Sequence, residues 1–164
     1  MKRINRRTFL KHTSLATGAV AALAPYSRVL GANDDLRVAV VGFNAQGRTH
    51  LRALRELEGV RVAALCDCDR AVLDRELEAG KKRNEKVKGY TDIRQLLENK
   101  EVDAITTATP DHWHALATIW ACQAGKDVYV EKPLCYCIRE GRKMVEAAHK
   151  YNRIVQVGNA NHNH

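Results

Sequence analysis

From Leu36 onward the chain alternates between two textures. Leu36–Val41 (LRVAVV) is a β-branched apolar run of strand length. Gln46 to Leu57 is largely polar but carries Leu51, Leu54 and Leu57 at helical spacing. Val60–Leu65 predicts a second strand, and Arg70–Arg83 a charged surface helix. Asp92–Asn99 predicts a short helix with Thr91 or Asp92 as its N-cap. Val102–Ala108 reads as a buried strand. Trp113–Ala124 reads as a helix, closed by Gly125 where a left-handed residue is expected. Val128–Val130, Ile138–Tyr151 and Ile154–Val157 complete the series as strand, helix and strand.

Strands that alternate with helices form a parallel sheet covered on both faces. The expected architecture is a single α/β domain with six parallel strands in the order 3-2-1-4-5-6. A chain of 164 residues is long enough for one sizeable core and too short for two full domains. No linker, repeat or low-complexity stretch interrupts residues 33–164.

Charge changes the picture only at the start of the chain. Six of the 27 basic residues and none of the 19 acidic ones precede Asn33, leaving 21 basic against 19 acidic over the body. A nearly neutral body lacks the clustered positive charge that nucleic acid requires. The basic start, Asn5-Arg6-Arg7-Thr8-Phe9-Leu10-Lys11, resembles the twin-arginine export motif. A weakly apolar run follows from Thr13 to Ala24, the length of a signal segment and too short to span a bilayer. Residues 1–32 are therefore expected to be a leader, cleaved near Gly31 or Ala32, that sends the protein to the periplasm or beyond. Leu30 is a poor residue three places before that cut, so an uncleaved anchor stays open. Five cysteines, an odd number in C-x-C pairs, predict free and mostly buried thiols rather than a disulfide or zinc framework.

Parallel sheets of this kind bind ligands beyond the carboxyl ends of their strands, so the residues after each strand carry the chemistry. After the first come Gly42-Phe43-Asn44-Ala45-Gln46-Gly47, close to the G-x-G-x-x-G turn of dinucleotide-binding (Rossmann) folds. Gly42 permits the tight turn and Gly47 lets the helix approach the strand. Asn44 stands where a side chain is normally absent. A phosphate would meet the helix start, making Gly42, Asn44, Ala45, Gln46 and Gly47 candidate contacts. After the second strand, Asp67 lies 25 residues beyond Gly42, where an acid accepts from the adenosine ribose. That carboxylate would repel a 2′-phosphate, which favours NAD over NADP. An alternative role for Asp67 is a helix N-cap. Arg70 could pack on adenine, accommodate NADP, or remain solvated.

The fourth strand leads into Thr109-Pro110-Asp111-His112-Trp113-His114, and the fifth into Glu131-Lys132-Pro133. Thr-Pro-x-x-Trp-His followed by Gly-Lys-x-Val-x-Val-Glu-Lys-Pro-Leu resembles the glucose–fructose oxidoreductase/inositol dehydrogenase/MocA family, from Leu36 to about Gly158. The resemblance implies an NAD(P)-binding domain over residues 33–158. It also implies that Lys132 is the catalytic residue, hydrogen-bonded to the reacting hydroxyl or carbonyl. An enclosed lysine of this kind has a lowered pKa and helps move a proton. Pro133 would follow a cis peptide that aims Lys132 inward. Thr109, Pro110, His114 and Glu131 would line the cofactor, with Gln156 and Gly158 beside the nicotinamide.

Read without the family, Asp111 is a good N-cap with His112 and His114 at the helix start. Trp113 and Trp120, seven apart on one helical face, are core or interface residues. Family members continue into a second, α+β domain that contacts substrate and builds oligomers. Residues 159–164 are therefore expected to be a truncated tail, and His162 and His164 are too few ligands for a metal. Three functions remain in contention: hydride transfer to or from a sugar or polyol, cofactor binding without turnover, and the related NAD-dependent glycosidase chemistry. Glu-Lys-Pro favours the first over the last.

Overall fold

A computed structural model describes residues 35–159. The expected leader over residues 1–32 and the end of the chain, with His162 and His164, lie outside the described residues. In chain order the elements are β1 (Leu36–Val41), α1 (Gln46–Glu56), β2 (Val60–Cys66), α2 (Arg70–Lys82), β3 (Lys88–Tyr90), α3 (Ile93–Leu97), β4 (Ala104–Thr107), α4 (Asp111–Gln123), β5 (Asp127–Val130), α5 (Ile138–Tyr151) and β6 (Val155–Val157). All strand pairs are parallel, and the six strands lie in the order β3-β2-β1-β4-β5-β6, as the alternation predicts. The fold is the Rossmann type, a doubly wound parallel sheet in a single domain.

Period-two alternation splits the sheet between two cores. Val40 and Leu65 face α1 and α2, where they pack with Phe43, Leu51, Val72 and Leu73. Ala39, Val41, Ala64, Cys66 and Ile105 face the other way, against α3, α4 and α5. β1 is buried along its length after Leu36 because it has a strand on each side and helices on both faces. The inner face of α4 is made of small residues, Ala115, Ala117, Thr118, Ala121 and Cys122, which lets that helix lie close to the sheet. Gly125, with φ +73, follows its C-cap as expected.

Several sequence expectations need correction. β3 has no apolar run to announce it: Lys-Gly-Tyr is a half-exposed edge strand with one partner. Val102 and Asp103 precede β4. Val102 still packs in the core, while the Asp103 carboxylate grips Arg37 from two sides, at 2.6 and 2.8 Å. Asp111 is the first residue of α4 and Pro110 its cap, so Asp111 does not cap through its side chain. Trp113 is 41% exposed and is not core; its ring lies 6.3 Å from that of Trp120, which packs against the apolar cluster. The cysteines are free, but only Cys66 and Cys122 are fully buried, and Cys68 and Cys137 are exposed.

Burial pushes the Cys66 thiol up to about 12, and the neighbouring Asp67 charge adds to the shift. At pH 8 an alkylating reagent should therefore modify Cys68 and Cys137 and spare Cys66, as read by peptide mass mapping; Cys66 labelling in the folded chain would contradict this. Thr118 is fully buried, and its hydroxyl has no hydrogen-bond partner among the described residues. Thr118→Val keeps the branched shape and removes the desolvated hydroxyl, worth about 1 kcal/mol. The melting temperature should rise by about 2–6 °C; a fall would show that the hydroxyl is satisfied in solution.

Candidate cofactor site

Backbone hydrogen bonds carry the sheet ladder past the carboxyl ends of the strands and into the loops. Gly42 N–H donates to Cys66 O at 2.8 Å, Asp67 N–H to Tyr90 O at 3.1 Å and Ala108 N–H to Val41 O at 2.9 Å. On the other half, Glu131 N–H donates to Thr107 O at 3.0 Å and Gly158 N–H to Val130 O at 2.8 Å. Every loop named from the sequence is thus brought to one edge of the sheet in fixed register.

The turn after β1 needs its two glycines. Gly42 has φ +73, and a β-carbon there would meet Thr109 Cγ2 at 2.9 Å. At Gly47 a β-carbon would overlap the Gly42 carbonyl oxygen. α1 therefore starts directly against the end of β1. No side chain caps it at Ala45; Arg48 N–H turns back to Ala45 O at 3.0 Å, and the N–H groups ahead of it face the place an anion would take. Asn44 and Gln46 are exposed at this helix start. The Asn44 side chain is drawn aside by Arg48, whose Nη2 donates to Asn44 Oδ1 at 3.2 Å.

Asp67 lies beside this turn, accepting Phe43 N–H at 3.1 Å on one oxygen and Asp69 N–H at 3.0 Å on the other. It is not the cap of α2: Asp69 is, accepting from Ala71 and Val72 N–H. Two backbone donors thus aim the Asp67 carboxylate and leave lone pairs for ribose hydroxyls. Arg70 is exposed and lies toward Asp74 on its own helix, at 3.6 Å.

On the other side of the crevice, Thr109 packs on Gly42, and its hydroxyl pairs with Thr107 at 3.1 Å. Pro110 caps α4 with φ −56. The Lys132–Pro133 peptide is cis, as the family resemblance implies. Lys132 is exposed rather than enclosed among the described residues. His114 does not line the crevice. It is 2% exposed, and its ring nitrogens lie 2.7 Å from Pro133 O and 2.8 Å from Thr109 O, so it pins two loops together from below. Gln156 is exposed and donates to Val157 O at 3.0 Å; Tyr129, its partner across β5 and β6, rests on Gly158.

Sequence reasoning missed His50 and Thr106. His50 Nε2 lies 2.8 Å from Glu131 Oε1, and Thr106 Oγ1 lies 2.7 Å from His50 Nδ1. The other Glu131 oxygen accepts Lys132 N–H at 3.1 Å. Each Glu131 oxygen is thus met by one donor within the protein. Tyr129 packs edge-on to His50 at 5.5 Å, and burial, with the Glu131 charge second, raises its hydroxyl above the usual phenol range.

The chain is similar to known proteins in sequence and fold. The chain is 30% identical to a glycosyl hydrolase family 109 protein of Shewanella baltica, over 92% of this chain and 38% of that protein. It is 31% identical, with the same coverage, to an alpha-N-acetylgalactosaminidase of Shewanella oneidensis. Among solved structures, myo-inositol 2-dehydrogenase of Lactobacillus plantarum superposes with a TM-score of 0.68 at 30% identity, over 76% of this chain and 36% of that one. Scyllo-inositol dehydrogenase of Lactobacillus casei, solved with NAD(H) and scyllo-inositol, shares the fold at a TM-score of 0.68 and 21% identity. The chain spans about 38% of the length of these curated relatives. Residues 36–159 match the oxidoreductase family with an NAD-binding Rossmann fold, and the chain belongs to this glucose–fructose oxidoreductase/inositol dehydrogenase/MocA family as its NAD-binding domain.

Proposed function

We propose that this chain binds NAD in preference to NADP and serves as the cofactor half of an exported oxidoreductase acting on a sugar or polyol. One juxtaposition carries the reading. The uncapped start of α1 and the Asp67 carboxylate sit side by side, joined by the Phe43 N–H to Asp67 hydrogen bond. The helix start suits a pyrophosphate, and an acid beside it suits a ribose diol while repelling a 2′-phosphate. Gly42 and Gly47 keep the turn low enough for a phosphate to approach the backbone. Bound there, the cofactor would supply the hydride acceptor or donor. Lys132 would hydrogen-bond the reacting hydroxyl or carbonyl, and His114 and Glu131 hold the loop that carries it. The Arg6-Arg7 leader supports export of a folded, cofactor-loaded protein by the twin-arginine route.

The glycosyl hydrolase relatives favour a second reading, in which the cofactor oxidises and re-reduces the sugar transiently while a glycosidic bond is broken. The two readings differ in their products. A dehydrogenase accumulates NADH, whereas the glycosidase releases an aglycone with no net NADH.

Calorimetry on the chain provides the test. NAD should bind at least about tenfold more tightly than NADP, and Asp67→Ala should lose most of that preference (tenfold is 1.4 kcal/mol). Equal affinities in the parent would remove Asp67 from the ribose. Gly47→Ala should abolish NAD binding by pushing α1 off β1, and unchanged affinity would contradict the phosphate site. With Lys132 open to solvent, the chain alone should form NADH from sugars or polyols far more slowly than about 1 s⁻¹. A rate above that, lost in Lys132→Ala, would show that the chain is a competent dehydrogenase by itself.

A further inference from the structure

The Thr106–His50–Glu131 chain joins three segments that build the proposed cofactor crevice. Thr106 is on β4, His50 is in α1 three residues after Gly47, and Glu131 follows β5 immediately before Lys132. The His50 and Glu131 side chains are only 11% and 12% exposed. Removing a carboxylate this far from water costs free energy unless its oxygens are met by donors. Here one oxygen meets His50 Nε2 and the other meets the Lys132 backbone N–H. With the carboxylate as acceptor, Nε2 carries the donated hydrogen, and in the neutral ring Nδ1 receives the Thr106 hydroxyl. Tyr129 closes one side of the imidazole edge-on, which limits its rotation.

The geometry points to His50 as a positioning residue. It holds Glu131 so that the carboxylate fixes the Lys132 amide, coupling the helix that receives the pyrophosphate to the lysine beside the nicotinamide. The inference rests on the proposed cofactor reading for its purpose, and on the hydrogen bonds alone for its mechanism. If His50 loses its donor, Glu131 has one oxygen without a partner and turns toward water, releasing the Lys132 N–H. The core beneath α1, centred on Leu51 and Val40, does not depend on that hydrogen bond and should be unaffected. His114 pins the same loop through Pro133 O on the opposite face, so the loop should loosen rather than unfold.

Three variants of the full chain separate this role from a generic packing role. His50→Leu fills the space without a donor, and His50→Gln restores an N–H near Nε2. Thr106→Val removes only the outer anchor. Amide exchange measured by NMR without cofactor should show Lys132 exchanging about tenfold faster or more in His50→Leu. It should stay within about twofold of the parent in His50→Gln and be intermediate in Thr106→Val, with the Val40 and Leu51 amides unchanged in all three. In parallel, His50→Leu should lose the rise in nicotinamide fluorescence on NADH binding, while AMP, which reports only the adenine end, binds as in the parent; His50→Gln should retain both. Unchanged Lys132 exchange in His50→Leu, or a Gln variant as impaired as the Leu variant, would overturn the positioning role. A parent that binds neither AMP nor NADH would overturn the cofactor reading instead, and the exchange data would still decide the role of His50.

Discussion

The close approach of Gly47 to the Gly42 carbonyl is the constraint on which the rest of the site depends. It sets where α1 begins, and a helix is stiff enough that its start determines the places of everything along it. One turn in, Leu51 reaches the core under β1 and β2. His50, one residue earlier, reaches Thr106 on β4 and Glu131 just after β5. At the helix start, N–H groups without a side-chain cap stand beside the Asp67 carboxylate. A methyl group at position 47 would therefore disturb core, loop anchor and anion site together.

Around this contact the side chains divide into those exposed at the carboxyl ends of the strands and those that hold them still. Lys132, Asn44 and Gln46 are exposed. His114 is buried against two backbone carbonyls, Thr107 pairs with Thr109, and Thr106 pairs with His50, which in turn meets the nearly buried Glu131. The Glu131–Lys132–Pro133 segment is held from both faces of the sheet, by His50 through the Glu131 carboxylate and by His114 through the Pro133 carbonyl. Rigid support of this kind keeps a reactive group in register, because misplacement by a fraction of an ångström weakens every hydrogen bond it makes. Asp67 shows the same division within one side chain: two backbone N–H groups orient it, and its remaining lone pairs face outward.

Periodicity and punctuation made most of the fold legible before any coordinates. β1 and α5 have the boundaries their patterns predict, and Gly125 turns left-handed where a helix had to end. Both features arise from local chemistry, which a sequence records directly. β3 was invisible because an edge strand of Lys-Gly-Tyr owes its conformation to pairing with β2 rather than to its own residues. Asp67 and Asp69 lie two apart and both suit a cap; only the path of the chain assigns Asp69 to α2 and Asp67 to the glycine turn. The loops gathered at the carboxyl ends of the strands were readable through motifs on single segments. The His50–Glu131 pair was not, since it joins residues 81 apart and neither position is unusual for its type. Trp113 and Trp120 part for a related reason: helical spacing identifies a shared face, but not how deeply each residue on it is buried.

The two outermost strands, β3 and β6, are three residues each. An open parallel sheet presents unpaired N–H and C=O groups along its margins, and a long margin is a template for pairing with another chain. Here each margin offers only about 10 Å of extended backbone. β3 also carries a lysine whose ammonium is held at 2.8 Å by Glu101, so an incoming strand would have to pass a charged pair. Among the described residues, protection from edge-to-edge aggregation thus lies in strand length and a charged pair. Extending β3 by apolar replacement of its flanking residues would remove that protection without touching the core, the glycine turn or the crevice.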